Sequence, residues 1–240
     1  MEILYIVMPA YNEEKNIESV VRQWYPILEG KSEESRLVVA DAGSQDKTHE
    51  ILLELQKEYS KLEILTDSGK QHGPKVIALY EYAIREGADY IFQTDSDGQT
   101  NPDEFAFFWN MRNQYDAVIG NRTVREDGKD RAFVERVVCL LLKLYFGVKV
   151  PDANAPFRLM KSDIIKKYLC KLPLEYNLPN VMLTTYLVYH REAVFFKNIS
   201  FRPRQGGENS INLIKIFKIG VYALIDFKRF KKGMKTDEKV

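Results

Sequence analysis

Two carboxylates flank a single residue in Thr94-Asp95-Ser96-Asp97-Gly98-Gln99, where the apolar run Tyr90-Ile91-Phe92 ends. A bend there turns Asp95 and Asp97 toward one point, where they can hold a hard divalent cation that also bridges phosphate oxygens. Such a cation offsets the charge that grows on a departing diphosphate. The same composition is also that of an ordinary Asp- and Gly-rich turn, so the reading depends on what else the chain brings to the same place.

Two further apolar runs end in polar residues. Pro9-Ala10-Tyr11-Asn12-Glu13-Glu14 follows the first, and Asp41-Ala42-Gly43-Ser44-Gln45-Asp46 follows the second. Each leads into a helical pattern, whose N-terminus offers backbone N–H groups and partial positive charge. The carboxylates in these turns suit a base and a ribose better than a phosphate. Asn12 and Asp46 also have the side chains of helix caps, and for Asp41 and Glu13 capping and nucleoside recognition both remain open.

The elements that must position these groups follow from periodicity. β-Branched runs predict strands at 3–8, 36–40, 62–66, 90–94 and 117–120, alternating with helices at 14–28, 46–59, 74–86 and 102–113. That alternation predicts an α/β domain, Rossmann-like, with a mostly parallel sheet flanked by helices. In such sheets ligands bind beyond the carboxyl ends of the strands, which is where all three polar turns fall. Later come a charged loop at 122–131, helical patterns at 133–146 and 180–189, an irregular stretch at 150–158 and a strand pattern at 194–201. A loop at 202–210 leads into a C-terminal amphipathic, basic helix and tail at 211–240. The expected division is a domain at 1–210, with a nucleotide-binding half 1–121 and an acceptor-side half 122–210, followed by that extension.

Bulk properties narrow the classes. The 35 Lys+Arg and 34 Asp+Glu residues nearly cancel, so nothing global points to nucleic acid. Cys139 and Cys170 have no partners at metal-ligand spacing, which argues against zinc, a disulfide framework or a redox motif. No basic and apolar leader opens the sequence, and Lys215, Lys218 and Asp226 interrupt its most apolar C-terminal run, so the expectation is a cytosolic protein that does not span a membrane.

Taken in order, residues 7–14, 41–48 and 95–99 with Pro102-Asp103-Glu104 resemble the successive signatures of family 2 glycosyltransferases. Gly120-Asn121-Arg122, residues 152–158 and residues 204–210 resemble looser, later motifs. Gln99 after the paired acids is similar to the subgroup of dolichyl-phosphate mannose synthases and polyprenyl-phosphate glycosyltransferases. The resemblance implies a GT-A fold and a metal-dependent, inverting transfer from a UDP- or GDP-type sugar donor, with Mn²⁺ or Mg²⁺ as cofactor. It implies that Pro9, Tyr11 and Glu13 line the nucleoside, that Asp41 accepts a hydrogen bond from the base, and that Asp95, Ser96 and Asp97 meet the diphosphate and metal. Gln99 would face the sugar or acceptor, Arg122 would lie on the acceptor side, and Arg204 and Ser210 would come from a loop closing over the diphosphate. Arg204 also reads as a plain surface cation.

Several positions depart from the pattern. Ala42 stands where the family usually has a second Asp, which leaves the base open. His72-Gly73-Pro74-Lys75 replaces a Gly-Lys-Gly turn and makes Lys75 a candidate phosphate contact. Pro156 replaces a Gly and changes the loop around Asp152. Asp152 is the candidate general base for a hydroxyl acceptor, against its reading as a cap or solvated acid; a lipid-phosphate nucleophile is already anionic and needs none. Acceptors in view are a lipid phosphate, a lipid-linked sugar or a glycan, in cell-surface polysaccharide or glycolipid synthesis. The 211–230 helix can lie in an anionic headgroup layer as a peripheral membrane contact or pack on the domain. Rival readings are a catalytically silent nucleotide-sugar-binding scaffold and a sugar nucleotidyltransferase, though the Gly-rich triphosphate loop of the latter is absent after the first strand.

Overall fold

The computed structural model describes residues 1–123, 129–203, 226–232 and 234. Among these, seven strands form one sheet in the order β3-β2-β1-β4-β6-β5-β7. β1 (Leu4–Ala10) lies between β2 (Arg36–Asp41) and β4 (Tyr90–Gln93), parallel to both, and β2 pairs in parallel with β3 (Leu62–Leu65). All seven residues of β1 are buried, as a parallel strand covered on both faces requires. β5 (Ala117–Arg122) and β7 (Val194–Ile199) extend the other side, parallel to each other.

β6 (Arg158–Lys161) runs antiparallel to both β4 and β5, pairing Gln93 and Ile119 each with Arg158. β6 begins where the stretch expected to be irregular ends, at a place where no strand is expected from the sequence. It is only four residues long and opens with a fully buried arginine, which hides the apolar run. Two antiparallel steps bring β5 back parallel to β4. The carboxyl ends of β1, β2, β4 and β5 and the amino end of β6 therefore share one edge.

Side chains alternate across the sheet into two apolar layers. Tyr5, Val7, Val38, Ile91, Ile119 and Met160 face α3 (His72–Arg85), α5 (Lys129–Phe146), α6 (Ser162–Leu169) and α7 (Pro179–Tyr189). Leu4, Ile6, Met8, Leu37, Phe92 and Leu159 face α1 (Ile17–Trp24), α2 (Thr48–Glu58) and α4 (Phe105–Met111). The second layer contains an aromatic nest in which Phe157 packs edge-on to Phe92 and Phe108, at centroid distances of 4.7 and 4.8 Å.

Element limits differ from the periodicity for local reasons. The first predicted helix becomes α1 followed by a 3₁₀ turn at Tyr25–Leu28, because Pro26 has no N–H for an α-helical bond. The fourth opens with a 3₁₀ turn at Pro102–Glu104, where the Asn101 side chain accepts from Asp103 N. α6, two amphipathic turns in length, has no counterpart among the helices expected from periodicity. At the C-terminus, the described residues 226–232 are helical and bury Phe227 and Phe230 against Phe146 and Tyr176. Lys228 and Arg229 point to solvent. Most of the predicted 211–230 helix lies outside the described residues. Among those described, no helix is long and apolar enough to cross a membrane.

Candidate active site

β1 is followed in chain order by β2 on one side, while β4 flanks its other side, so the connections diverge between β1 and β4. A crevice opens at such a switch point, and the turns after β1, β2 and β4 all face it. The turn after β1 is bound to the turn after β2. Asn12, held at φ 56°, donates its N–H to Ser44 Oγ (3.0 Å), and its Oδ1 accepts from Gln45 N (2.8 Å). Glu13 N donates to Thr48 Oγ1 (2.7 Å) and Glu14 N to Asp46 Oδ2 (3.0 Å). Burial opposes the Asp46 charge, but hydrogen bonds from Thr48 and the Glu14 backbone outweigh it and hold its pKa below the ordinary carboxylate range. Asn12 and Asp46 thus tie two loops together, and Asp46 also caps the first turn of α2.

Glu13 is buried, and its Oε2 accepts from Asn16 Nδ2 at 2.7 Å. Asp41, also buried, accepts from Ser44 Oγ and pairs through Oδ2 with His49 Nδ1 at 3.1 Å. Tyr11 is 42% exposed, with the Lys75 ammonium 5.3 Å from its ring centroid. Lys75 itself is buried and donates to the Ala10 carbonyl. Burial pushes its pKa below the usual lysine range, with Asp41 pulling the other way. Its charge therefore lies beneath the crevice, anchored to the end of β1. Gly73 makes this possible: a Cβ there would lie 2.2 Å from the Tyr176 carbonyl oxygen, so only glycine lets the first turn of α3 approach so closely.

The Asp95–Asp97 turn closes the crevice from the β4 side. Ser96 Oγ donates to the Pro9 carbonyl (2.8 Å), which joins this turn to the end of β1. Asp97 Oδ1 accepts from Gln99 N (3.1 Å), and Gly98 takes φ 75°, a conformation that favours glycine. The two acids supply hard oxygen donors, and among the described residues no cluster of three or more His, Cys, Asp or Glu forms a complete cage. This donor set fits a cation such as Mg²⁺ or Mn²⁺ held by one or two carboxylates, with water and substrate phosphates completing the shell. Gln99 spans to the segment after β7: its Nε2 donates to Arg202 O, and Arg202 N donates to Gln99 O, each at 2.8 Å.

Across β6, on the same edge, Arg122 and Asp152 form a bidentate ion pair, Nε to Oδ2 at 2.7 Å and Nη2 to Oδ1 at 2.9 Å. Glu135 on α5 lies 3.8 Å from Arg122 Nη2 and accepts from Ala153 N at 2.8 Å. Burial raises the Glu135 pKa, and the Asp152 carboxylate raises it further against the pull of Arg122. The loop between Asp152 and β6 is gripped from both faces. Phe157 enters the aromatic nest, while the buried Arg158 donates to the carbonyls of Ala155 (2.6 and 2.9 Å) and Asn180 (3.3 Å) and to Thr184 Oγ1 (3.3 Å). Arg204 and Ser210 lie outside the described residues.

The sequence model for glycosyl transferase family 2 matches residues 5–169, from the start of β1 to the end of α6. The chain belongs to glycosyl transferase family 2. It is 27% identical over 177 residues to a dolichyl-phosphate β-glucosyltransferase of Trichomonas vaginalis, covering 67% of this chain and 54% of that protein. It is 30% identical over 185 residues to the UDP-N-acetylglucosamine–dolichyl-phosphate N-acetylglucosaminyltransferase of Methanococcus voltae, covering 69% and 72%. An undecaprenyl-phosphate 4-deoxy-4-formamido-L-arabinose transferase of Edwardsiella ictaluri is 23% identical, covering 70% and 52%. The chain thus spans about half the length of several curated relatives it matches. Its fold is similar to glucosyl-3-phosphoglycerate synthase from Mycobacterium tuberculosis, solved with Mn²⁺, UDP and glucosyl-3-phosphoglycerate, with a TM-score of 0.72 over 97% of this chain and 80% of that one. At 18% identity that likeness establishes the GT-A fold.

Within this family 2 chain, three site residues escaped the sequence reading. Glu135 left one signal, a lone acid on an apolar helix. His49 left none, because its contact with Asp41 depends on how α2 leaves its loop. Arg158 was read only as the end of a motif, although its guanidinium organises the loop before it.

Proposed function

We propose that this chain is a metal-dependent inverting glycosyltransferase that moves a sugar from a nucleoside-diphosphate sugar of the UDP type to the phosphate of a membrane lipid. The observation that carries the reading is the placement of the Asp95–Asp97 turn and the Arg122–Asp152 pair on one sheet edge, on either side of β6. One side can hold a diphosphate, and the other can receive an acceptor. The similar transferases described above, which are named for dolichyl and undecaprenyl phosphates and in one case for a UDP-sugar, support the substrate classes.

In this reading Pro9, Tyr11, Glu13 and Asp41 receive the nucleoside, with His49 and Ser44 fixing the Asp41 carboxylate. Lys75 supplies positive potential from below rather than direct phosphate contact, since its ammonium is bound to the end of β1. Asp95 and Asp97, with Ser96 fixing their turn, would hold the divalent cation, whose contribution is to stabilise charge on the leaving diphosphate. The acceptor oxygen attacks the anomeric carbon opposite the breaking bond, which inverts the centre. A phosphate acceptor is anionic near neutral pH, so no side chain has to take its proton. Asp152 then orients Arg122 toward the acceptor instead of acting as a base. Gln99 links the cation turn to the segment that continues into Arg204 and Ser210, the candidates for closing on the diphosphate.

Calorimetry with UDP and GDP, each with and without Mn²⁺, tests the donor side. UDP release from UDP-sugars with and without a short-chain polyprenyl phosphate tests the acceptor side. Binding of UDP that requires Mn²⁺, and UDP release stimulated by the lipid phosphate, are the expected results. Nucleotide binding that ignores Mn²⁺ would remove the metal from the scheme, and no binding of either nucleotide would favour a scaffold.

A further inference from the structure

α5 presents to solvent a continuous apolar stripe: Phe133 is 65% exposed, Val137 38%, Leu140 55% and Leu144 69%. Their spacing of four, three and four residues places them on one helical face. The opposite face faces the domain, with Leu142 and Phe146 in the core and Glu135 beside Arg122 and Asp152. The amphipathic pattern is therefore satisfied inward, and a second apolar face remains outward. Isolated exposed leucines are commonplace, but a stripe along several turns marks an interaction surface.

Charge selects the occupant. Arg136 and Lys143 flank the stripe and are exposed, and Lys149 is exposed just beyond the helix end. Among the described side chains of α5 the only acid is Glu135, on the inward face. An apolar band edged by cations, with no outward acid among the described side chains, matches a lipid surface carrying anionic headgroups, with the helix lying in its plane. The position fits as well, because the same helix lines the Arg122–Asp152 side of the site.

We infer that α5 docks this chain on an anionic membrane, inserting Phe133, Val137, Leu140 and Leu144 among the lipids and so bringing the Arg122 side of the site to the headgroup layer. The inference rests on the lipid-phosphate acceptor proposed above, and it concerns a different segment from the basic C-terminal helix expected from sequence. It also assigns the membrane contact to the folded domain itself.

The test is co-sedimentation of the full chain with phosphatidylcholine vesicles, with and without phosphatidylglycerol, across a salt series. The double variant Leu140→Ser with Leu144→Ser is compared with Leu53→Ser, a 44% exposed leucine on α2 in the opposite helical layer. Wild type and Leu53→Ser should bind the anionic vesicles, and the double variant should bind about a hundredfold less or weaker still, as expected for losing two inserted leucines. Equal binding by the double variant, or none by wild type, overturns the inference. Two other results do so by naming a different occupant. A wild-type dimer that the double variant dissolves would place a second copy on the stripe, and a large drop in the variant's melting temperature would mean this chain covers its own stripe. Vesicle binding is read without donor or turnover, so a chain that docks but never releases UDP would refute the transferase reading and leave the docking intact.

Discussion

Replacing Asp152 and Glu135 singly and together should give strongly non-additive losses of stability. The side chains of Arg122 and Asp152 are 7% and 3% exposed, and Glu135 is 14% exposed. Removing one member of a buried ion pair ordinarily costs about 3–5 kcal/mol, because the other charge is stranded. Asp152→Asn should cost less, about 1–3 kcal/mol, comparable to a hydrogen bond to a charged group. The reason is the second acid 3.8 Å from the guanidinium. Once Asp152 is neutral, the repulsion that raises the Glu135 pKa disappears, and the Glu135 carboxyl remains as a partner for Arg122. Glu135→Gln alone keeps an oxygen for Ala153 N and removes the repulsion with Asp152, so it should cost no stability near neutral pH and gain on wild type as pH rises. The double variant strands Arg122 and should show the full loss, exceeding the sum of the singles by about 1–3 kcal/mol, within the range of coupled neighbours. Urea unfolding at pH 7 of the four proteins measures this. Losses that add within about 0.5 kcal/mol would mean the two carboxylates do not share Arg122. The pH dependence follows from the same pair. A folded-state pKa raised above the unfolded value of about 4.3 makes the Glu135 contribution largest below that pH. It is lost as pH rises through the raised value, so the stability of wild type relative to Glu135→Gln should fall with increasing pH.

Asp97→Asn should remove Mn²⁺-dependent UDP binding while changing unfolding free energy by no more than about 0.5 kcal/mol, since the amide oxygen still accepts from Gln99 N. UDP affinity and its Mn²⁺ dependence surviving intact would move the metal elsewhere. Gly73→Ala gains about 1 kcal/mol of helix propensity, yet its methyl would lie 2.2 Å from the Tyr176 carbonyl. The clash should win, for a net loss of about 1–3 kcal/mol, read by thermal melting; a G73A chain that melts higher than wild type would show that the α3 start is not packed this closely.

What could be read in advance was whatever is local. Three apolar runs that stop at polar turns announce parallel strands and the edge where a ligand belongs, and β1, β2 and β4 lie where those runs predict. The Asn12 and Asp46 side chains were recognisable as capping types, although their partners across 33 and 32 residues were not. What escaped depends on long-range pairing. β6 is legible only as a partner for β4 and β5, because a four-residue run beginning with arginine has no periodicity of its own. Arg122 and Asp152 were each singled out, but nothing in their 30-residue separation announces a bidentate pair. Lys75 looked like a phosphate ligand because its charge is visible in sequence; its hydrogen bond to Ala10 O is a product of how α3 packs on β1.

Because neighbouring residues in β6 face opposite layers, its alignment with β4 and β5 admits no slippage. A shift by one position would turn the Arg158 guanidinium toward Trp24, Phe92 and Phe108 and carry Leu159 among the loop carbonyls, exchanging both for the wrong surroundings. The strand therefore acts as an index pin. Length changes in the stretch that precedes it must be absorbed between Asp152 and Arg158, beside the Arg122 end of β5, while the register of β6 and the turn after β4 stay in place.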